Sequence, residues 1–540
     1  MTLGWTHQCQ HFLTISQVSH LAASKSSAGN CNHEPASRKF PQSCGVIVST
    51  ALGALRVVAS SQGSGMHLTR QQRRLGGLLL GAILLVLAVH HWLLPLFTRP
   101  SLAALLPQDP YIQVYFNQSQ ASLYTDPYRQ IRRPGDDLEQ VIVEAIAAAT
   151  TSIDVAVQEI TLPQIALALR DRAQAGVNVR IIVENQYNRV WRPLNEFQSG
   201  QMDEYQQSKH SEKQQLIDAN GNGKITAEEV AQRDAIHILT QGQVPLLDDT
   251  ADGSKGSGLM HHKFMVVDGR TVVLGSANWT TSGIHGDFAS ADSRGNANAL
   301  LRIDSPELAA VLEEEFDLMW GDGPAGKEDS LFGLQKPLRS PRVVNIPGSQ
   351  VTVQFSPVSE TQPWSQSVNG LISQTLTQAS SSIDLALFVF SDQGISDRLA
   401  QKSQAGVTIQ ALIDRNFVYR SYSEALDMLG TAMPDHRCKY EAHNRPWTQP
   451  IATVGTPNLP EGDKLHHKFA LIDNHTVIIG SHNWSAAANH TNDENLLVIR
   501  NPTVAAHFRR EFDRLAANAE MGFTKDLQNR IQRQRKQCGG

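Results

Sequence analysis

A pattern that occurs twice, 230 residues apart, constrains this chain more than any other feature. The first copy reads TSIDVAV from Thr151 and continues to QAGVNVRIIVEN, ending at Asn185. The second reads SSIDLAL from Ser381 and continues to QAGVTIQALIDR, ending at Arg415. In each copy an amphipathic helix leads into a Ser-Ile-Asp strand, a second helix stops at Gln-Ala-Gly-Val, and a buried strand follows. This β-α-β rhythm predicts a mainly parallel sheet covered by helices. The expected fold class is α/β, with two α-β-α sandwich halves related by a pseudo-twofold and preceded by one N-terminal transmembrane or signal helix.

A later block repeats as well. LMHHKFMVVDGRTVVLGSANWT begins at Leu259 and KLHHKFALIDNHTVIIGSHNWS at Lys464, a separation of 205, so the first half carries about 25 extra residues between its blocks. The halves are expected at 111–332 and 351–520. A linker rich in proline, with Pro337, Pro341 and Pro347, fills 333–350, and a basic tail occupies 521–540. A chain of 540 residues is too long for one core, which agrees with a doubled unit.

Charge gives no help to a polyanion-binding reading, because the net charge is -5 and becomes -8 once residues 1–65 are set aside. Of the five cysteines, three lie in that N-terminal stretch, and Cys438 and Cys538 are far apart in sequence. With no Cys-x-x-Cys pair and no zinc spacing, neither a disulfide framework nor a zinc site is expected, and the fold must stand on its hydrophobic cores.

Residues 1–65 show no sustained period and read as a disordered or non-native extension, with Met66 as the expected true start. From Met66 the character changes. Arg70, Arg73 and Arg74 precede an apolar run from Leu75 to Val89 that resumes at Trp92 and ends near Phe97. Its length of about 23 residues suffices to cross a ~30 Å hydrocarbon core. The stretch 66–98 therefore predicts an uncleaved signal anchor with the body on the extracytoplasmic side, or a secreted protein if it is cleaved.

Each later block contains His-x-Lys, then Asp, then Gly-Ser-x-Asn: His261, Lys263, Asp268, Ser276 and Asn278, and again His466, Lys468, Asp473, Ser481 and Asn483. As strands, HHKFMVVD and HHKFALID put His and Lys on one face. Imidazole, ammonium, hydroxyl and amide groups can all donate hydrogen bonds, a set that suits a phosphate or another oxyanion. Two such pockets meeting at a pseudo-twofold supply two imidazoles on opposite sides of one phosphorus, one to attack and one to protonate the leaving oxygen.

The doubled HxKx4D…GSxN pattern resembles the phospholipase D superfamily, the HKD phosphodiesterases, over about residues 111–520. The resemblance implies the phospholipase D fold, and metal-independent phosphodiester cleavage through a covalent phosphohistidine. It also implies a structural role for Asp268 and Asp473. Members of the superfamily carry, after each motif, a residue that orients the imidazole of the opposite motif. Here Glu494 would hold His261 and Asn298 would hold His466. A carboxylate stabilises an imidazole that gains charge, whereas a neutral amide leaves its partner readier to give up a proton. That asymmetry nominates His261 as nucleophile and His466 as acid.

The extra residues of the first half, about 205–240, contain DANGNGKITAEE from Asp218 to Glu229, which fits the EF-hand loop. Asp218, Asn220, Asn222, Lys224 and Glu229 are the expected ligands of a structural Ca2+ with modest affinity; no cofactor is expected for the catalysis itself. The leading functional expectation is a phospholipase D-type enzyme of lipid degradation that hydrolyses or transfers the phosphatidyl group at a phospholipid membrane. It is expected to act as a monomer, with both motifs in one chain. The alternatives are an exported nuclease, a cardiolipin-synthase-like transferase and, least favoured, a non-enzymatic calcium-dependent surface-binding protein.

Overall fold

Each Ser-Ile-Asp segment forms a strand buried on both faces, and so reads in sequence as an apolar run rather than an alternation. The computed structural model describes residues 102–194, 200–250, 258–324 and 326–539, which belong to one unit, Leu102–Gly540. The expected N-terminal extension and signal anchor lie outside the described residues. Among the described residues no helix is long and apolar enough to cross a membrane.

The first half runs β1 (Ile112–Phe116), α1 (Leu138–Ala147), β2 (Ser152–Val157), α2 (Pro163–Gln174), β3 (Asn178–Val183), α3 (Glu204–Ile217), α4 (Ala227–Arg233) and α5 (Ala235–Gln241). It continues through β4 (Leu246–Asp248), β5 (Lys263–Val267), β6 (Thr271–Gly275), β7 (Ala299–Asp304) and α6 (Pro306–Trp320). The second half runs β8 (Arg342–Ile346), β9 (Ser349–Ser356), α7 (Val368–Thr377), β10 (Ser382–Leu387), α8 (Gln393–Gln404), β11 (Thr408–Ile413) and β12 (Val454–Thr456). Then come β13 (Lys468–Ile472), β14 (Thr476–Gly480), β15 (Glu494–Arg500), α9 (Pro502–Ala516), β16 (Glu520–Met521) and α10 (Lys525–Gln537).

The first sheet has the order β1-β7-β6-β5-β2-β3-β4 and the second β8-β9-β15-β14-β13-β10-β11-β12-β16. The expectation of a mainly parallel sheet is corrected here. Only β2–β3–β4 and β10–β11–β12 pair in parallel, and every other neighbour in the two sheets is antiparallel. The cause is connection length. A helix can carry the chain back for a parallel strand, but only three residues join β5 to β6 and β13 to β14, which allows only a hairpin. Asp268 and Gly269, and likewise Asp473 and Asn474, take positive φ in those turns.

Both sheets turn one face to a shared core that holds α6 and α9, with Phe264, Leu274, Phe316, Phe469, Phe508 and Phe512 among its side chains. The opposite faces pack separately. One outer core takes Ile142, Ile165 and Leu239 from α1, α2 and α5; the other takes Ile372 and Leu399 from α7 and α8. The neighbours Phe264 and Met265 belong to different cores, as the period of two requires.

Two expectations about the chain's edges change. Cys438 and Cys538 form a disulfide across 100 residues, contrary to the reading of the cysteines as unpaired. Sequence distance misleads here because α10 folds back: Leu527 and Ile531 are buried in the second outer core, and Gln534 and Arg535 donate to the carbonyls of Asp435 and Ala432. The basic tail is thus an amphipathic helix docked on the second half. The segment 333–350, expected as a linker, is built into the fold. It supplies β8 and places Lys336 fully buried between Glu315 and Asp493, 2.7 Å from the latter.

Removing one partner from such a network leaves an uncompensated buried charge. Lys336→Met is expected to cost roughly 3–5 kcal/mol, read as a lower urea midpoint with an unchanged slope.

Candidate active site

The hairpin turns that shape the sheets also anchor the loops entering β2 and β10. Asp268 accepts hydrogen bonds from the backbone N–H groups of Thr150, Thr151 and Ser152 and from both threonine hydroxyls. Asp473 does the same for Ser380, Ser381 and Ser382. These hydrogen bonds outweigh burial and hold both carboxyls well below the ordinary range. The motif aspartates therefore act on the fold at the turn end of β5 and β13, and the motif His and Lys residues stand at the other end.

At that end, the backbone of one half pairs with the other. The His261 N–H donates to the Asp493 carbonyl, and the Asp493 N–H to the Leu259 carbonyl. Symmetrically, the His466 N–H donates to the Ala297 carbonyl, and the Ala297 N–H to the Lys464 carbonyl. This crossed pairing puts each imidazole beside the residue that follows the other motif. His261 Nδ1 lies 2.6 Å from Glu494 Oε2, and His466 Nδ1 lies 3.0 Å from Asn298 Oδ1. Burial raises the Glu494 carboxyl against the pull of His482 and Lys263. When ionised it only accepts, as the Asn298 amide oxygen does, and each ring then carries its proton on Nδ1 and its lone pair on Nε2.

Lys263 and Lys468 fold back so that each ammonium donates to the carbonyl of its own motif histidine, at 2.8 and 2.7 Å. Their side chains are almost fully buried, as are His261, Glu494 and Asn298, while His466 is partly open to solvent. Burial pushes Lys263 down to about 7, against the pull of Glu494 and Glu159. Burial and then Lys263 hold Lys468 well below the usual lysine range. Burial, followed by the two lysines, likewise keeps both imidazoles well below theirs. The cluster thus resists charging, and an anion placed among these groups relieves their mutual repulsion.

The serines do not serve as expected. The Ser276 hydroxyl donates to Asn298 Oδ1 and accepts from the Ala299 N–H; the Ser481 hydroxyl accepts from the Asn495 N–H and bonds the Glu494 carboxylate. Both are engaged with the residue that orients the opposite imidazole and are not free donors to an oxyanion. Asn278 and Asn483 occupy matching places, each with a buried carboxamide oxygen.

Residues outside the motifs complete the site. Gln158 Oε1 accepts from Lys263 Nζ at 3.2 Å. At the same position of the repeat, Phe388 stands 4.8 Å from the His466 ring and under Lys468. The second histidine of each His-His pair, His262 and His467, is buried against Glu315 and Glu511 of the central helices. Aligning the two Ser-Ile-Asp repeats one residue beyond their apolar strands marks Gln158 and Phe388 as a divergent pair; reading the motifs alone misses them.

The insertion forms a helix–loop–helix, α3 and α4 flanking residues 218–226. Asp218 accepts from the N–H groups of Asn222 and Gly223, Asn220 from Asn222, and Asn222 from Lys224, so these side-chain oxygens are engaged with the loop's own backbone. Glu229 bonds Asn220 and closes a capping box with Thr226. An all-oxygen set of this kind fits a hard divalent cation. Only two of these residues are carboxylates, and among the described residues no cluster of three or more His, Cys, Asp or Glu is placed to hold a metal. Helix α3 also grips the first motif's surroundings. Lys209 pairs with Glu159 at 3.2 Å, and Glu212 accepts from Thr281 and Ser282, just beyond Asn278.

A family model described as "Cardiolipin synthase, PLD-like domain" matches residues 142–320 and 372–516, more than half of the chain. The chain belongs to this phospholipase D-like family. Among curated relatives it is 26% identical over 140 residues to a "Mitochondrial cardiolipin hydrolase" of Chlamydomonas reinhardtii, covering 26% of this chain and 53% of that protein. It is 27% identical over 149 residues to a "Phospholipase D" of Rickettsia typhi, covering 27% of this chain and 63% of that protein. The chain spans about half the length of the first relative it matches. Among solved structures, phosphatidylserine synthase of Haemophilus influenzae Rd KW20 aligns with 80% of this chain and 94% of its own, at 12% identity and a TM-score of 0.45. Nuc, a phospholipase D family member from Salmonella typhimurium, aligns with 32% of this chain and 97% of its own, at 23% identity and a TM-score of 0.25.

The depressed Lys263 gives the family site a pH signature. An anion raises its pKa, so above about pH 7 binding takes up a proton. Tungstate affinity is expected to fall as pH rises from about 7 to 9, by up to about tenfold per unit for each proton taken up. Calorimetry in buffers of different ionisation enthalpy reads the uptake. Flat affinity over that range would mean that Lys263 is already charged in the free site.

Proposed function

We propose that the chain is a phosphodiesterase that cleaves or transfers the phosphatidyl group of membrane phospholipids through a covalent phosphohistidine on His261. The observation that carries this reading is the crossed pair of hydrogen bonds, His261 to Glu494 and His466 to Asn298, which aims two neutral imidazoles into one lysine-flanked site. Membership of a family described by cardiolipin synthase, and relatives named as cardiolipin hydrolase and phospholipase D, support a phospholipid substrate. The apolar stretch 66–98 supports a body held at a membrane, on its extracytoplasmic side, and the Cys438–Cys538 disulfide agrees with an oxidising compartment.

In the first step His261 Nε2 attacks phosphorus and the bond to the leaving oxygen breaks. Glu494 stabilises the imidazolium that forms, and Lys263 and Lys468 take the charge on the non-bridging oxygens. The bound phosphodiester offsets the lysine field, so His466 acquires a proton on Nε2 as substrate enters and passes it to the leaving alkoxide. In the second step His466 takes a proton from water or an alcohol, whose oxygen attacks phosphorus as the bond to His261 breaks. Nucleophile, acid and charge stabilisation all come from side chains of one chain.

The role assignment predicts unequal variants. His466→Ala should lose about 10²–10⁴-fold on a phospholipid, yet still form the adduct from a p-nitrophenyl ester, whose leaving group needs little protonation. Mass spectrometry of the denatured protein should place the phosphoryl group on the peptide containing His261, and His261→Ala should form none. An adduct on the His466 peptide would reverse the roles. Assay of phosphatidylcholine and cardiolipin vesicles against DNA, with and without EDTA, tests substrate class and metal independence. Cleavage of DNA alone would make the chain a nuclease.

Calcium belongs to the same proposal as a structural ligand of Asp218, Asn220, Asn222, the Lys224 carbonyl and Glu229. Bound there, the ion would hold the insertion and supply no step of the reaction. Its addition should raise the melting temperature by mass action on the folded state, and Glu229→Ala should abolish the rise. A shift that survives the substitution would place calcium elsewhere.

A further inference from the structure

The two walls of the site are built from one repeat, yet they are chemically unlike. Residues 230 apart occupy matching places, since the Gln158 and Phe388 N–H groups donate to the His262 and His467 carbonyls. The Tyr187 and Phe417 N–H groups donate in the same way to the Glu184 and Asp414 carbonyls. On the first wall Gln158 bonds Lys263, and the Tyr187 hydroxyl lies 3.2 Å from that of Tyr205 in α3. On the second wall both polar side chains are replaced by phenylalanine. Phe388 and Phe417 meet edge to face at 4.7 Å, Phe388 lies 4.8 Å from the His466 ring, and both remain partly exposed. A partly exposed aromatic pair against a general acid is an apolar surface offered to whatever binds beside that acid.

We propose that Phe388 and Phe417 form the subsite for the leaving and entering alcohol, and that they select alcohols with an apolar face over small hydrophilic ones. The inference rests on the phosphohistidine reading above and adds the chemistry of the alcohol. Displacement at phosphorus is in line, so the leaving oxygen lies opposite His261, on the His466 side. By reversibility the acceptor in the second step enters where the first alcohol left. Both therefore pass over the same two rings. The acceptor loses a proton to His466 as its oxygen bonds to phosphorus, and His261 departs as the neutral imidazole.

The test partitions one common intermediate. The full chain is given bis-p-nitrophenyl phosphate with equal concentrations of benzyl alcohol and glycerol, and the benzyl and glyceryl esters of p-nitrophenyl phosphate are counted against the hydrolysis product. Because the intermediate is shared, the product ratio is independent of how the donor binds. The native chain should favour the benzyl ester. Phe388→Gln, which installs the first wall's residue, should cut the benzyl-to-glyceryl ratio about fivefold to tenfold. Phe417→Tyr should cut it less, and Phe388→Leu should fall between native and Phe388→Gln. An unchanged ratio in Phe388→Gln protein that melts like the native chain would overturn the subsite. A ratio that moves instead with Gln158→Leu or Tyr187→Phe would overturn it by placing the alcohol on the His261 side. Failure to release p-nitrophenol from the native chain would sink the underlying catalytic reading itself, which the partition result alone does not.

Discussion

Neither half of this protein holds a working imidazole by itself. His261 is oriented by Glu494 and His466 by Asn298, so each ring borrows its hydrogen-bond partner from the opposite half. The backbone pairings of Met260 with Asp493 and of Ala297 with Leu465 set the registration, and the shared core around α6 and α9 holds it. A shift between the halves of even 1 Å would stretch both short contacts beyond hydrogen-bonding distance. The large apolar interface is therefore part of the chemistry as much as of the stability.

Duplication supplies the symmetry and divergence supplies the direction. Two identical pockets would leave the two imidazoles equivalent. A carboxylate beside one imidazole and an amide beside the other make the two unequal, because a carboxylate favours a charged ring and an amide does not. The same separation extends outward. Gln158, Tyr187 and the helix α3 side chains make the first wall polar, while Phe388 and Phe417 make the second apolar. The insertion lies on the polar side, where Lys209 and Glu212 brace Glu159 and the Thr281–Ser282 corner.

One buried charge network lies where the two halves meet. Glu315 meets Lys336, Arg339 and His262, and Asp493 bonds Lys336 one residue before Glu494. Such a network adds little net stability compared with apolar packing, but it tolerates few alternative arrangements. Its place beside the crossed hydrogen bonds suits a junction where geometry matters more than free energy.

The sequence by itself determined the doubled architecture, the two His/Lys motifs, the residues that orient them and the inserted loop, because these depend on short-range spacing that recurs in order. It also carried the strands and helices of the Ser-Ile-Asp repeats, whose apolar pattern admits one local structure. It misjudged what long-range contact decides. Strand direction followed from three-residue turns that outvote the β-α-β rhythm, the serines were claimed by neighbouring backbone and by the orienting residues, and Cys438 met Cys538 only because α10 folds back. Lys336 looked like linker because a buried ion pair leaves no periodic trace. Only the tertiary structure decided that Gln158 and Phe388 face the site, since burial beside a lysine and exposure beside an imidazole are relations between distant segments that no local pattern encodes.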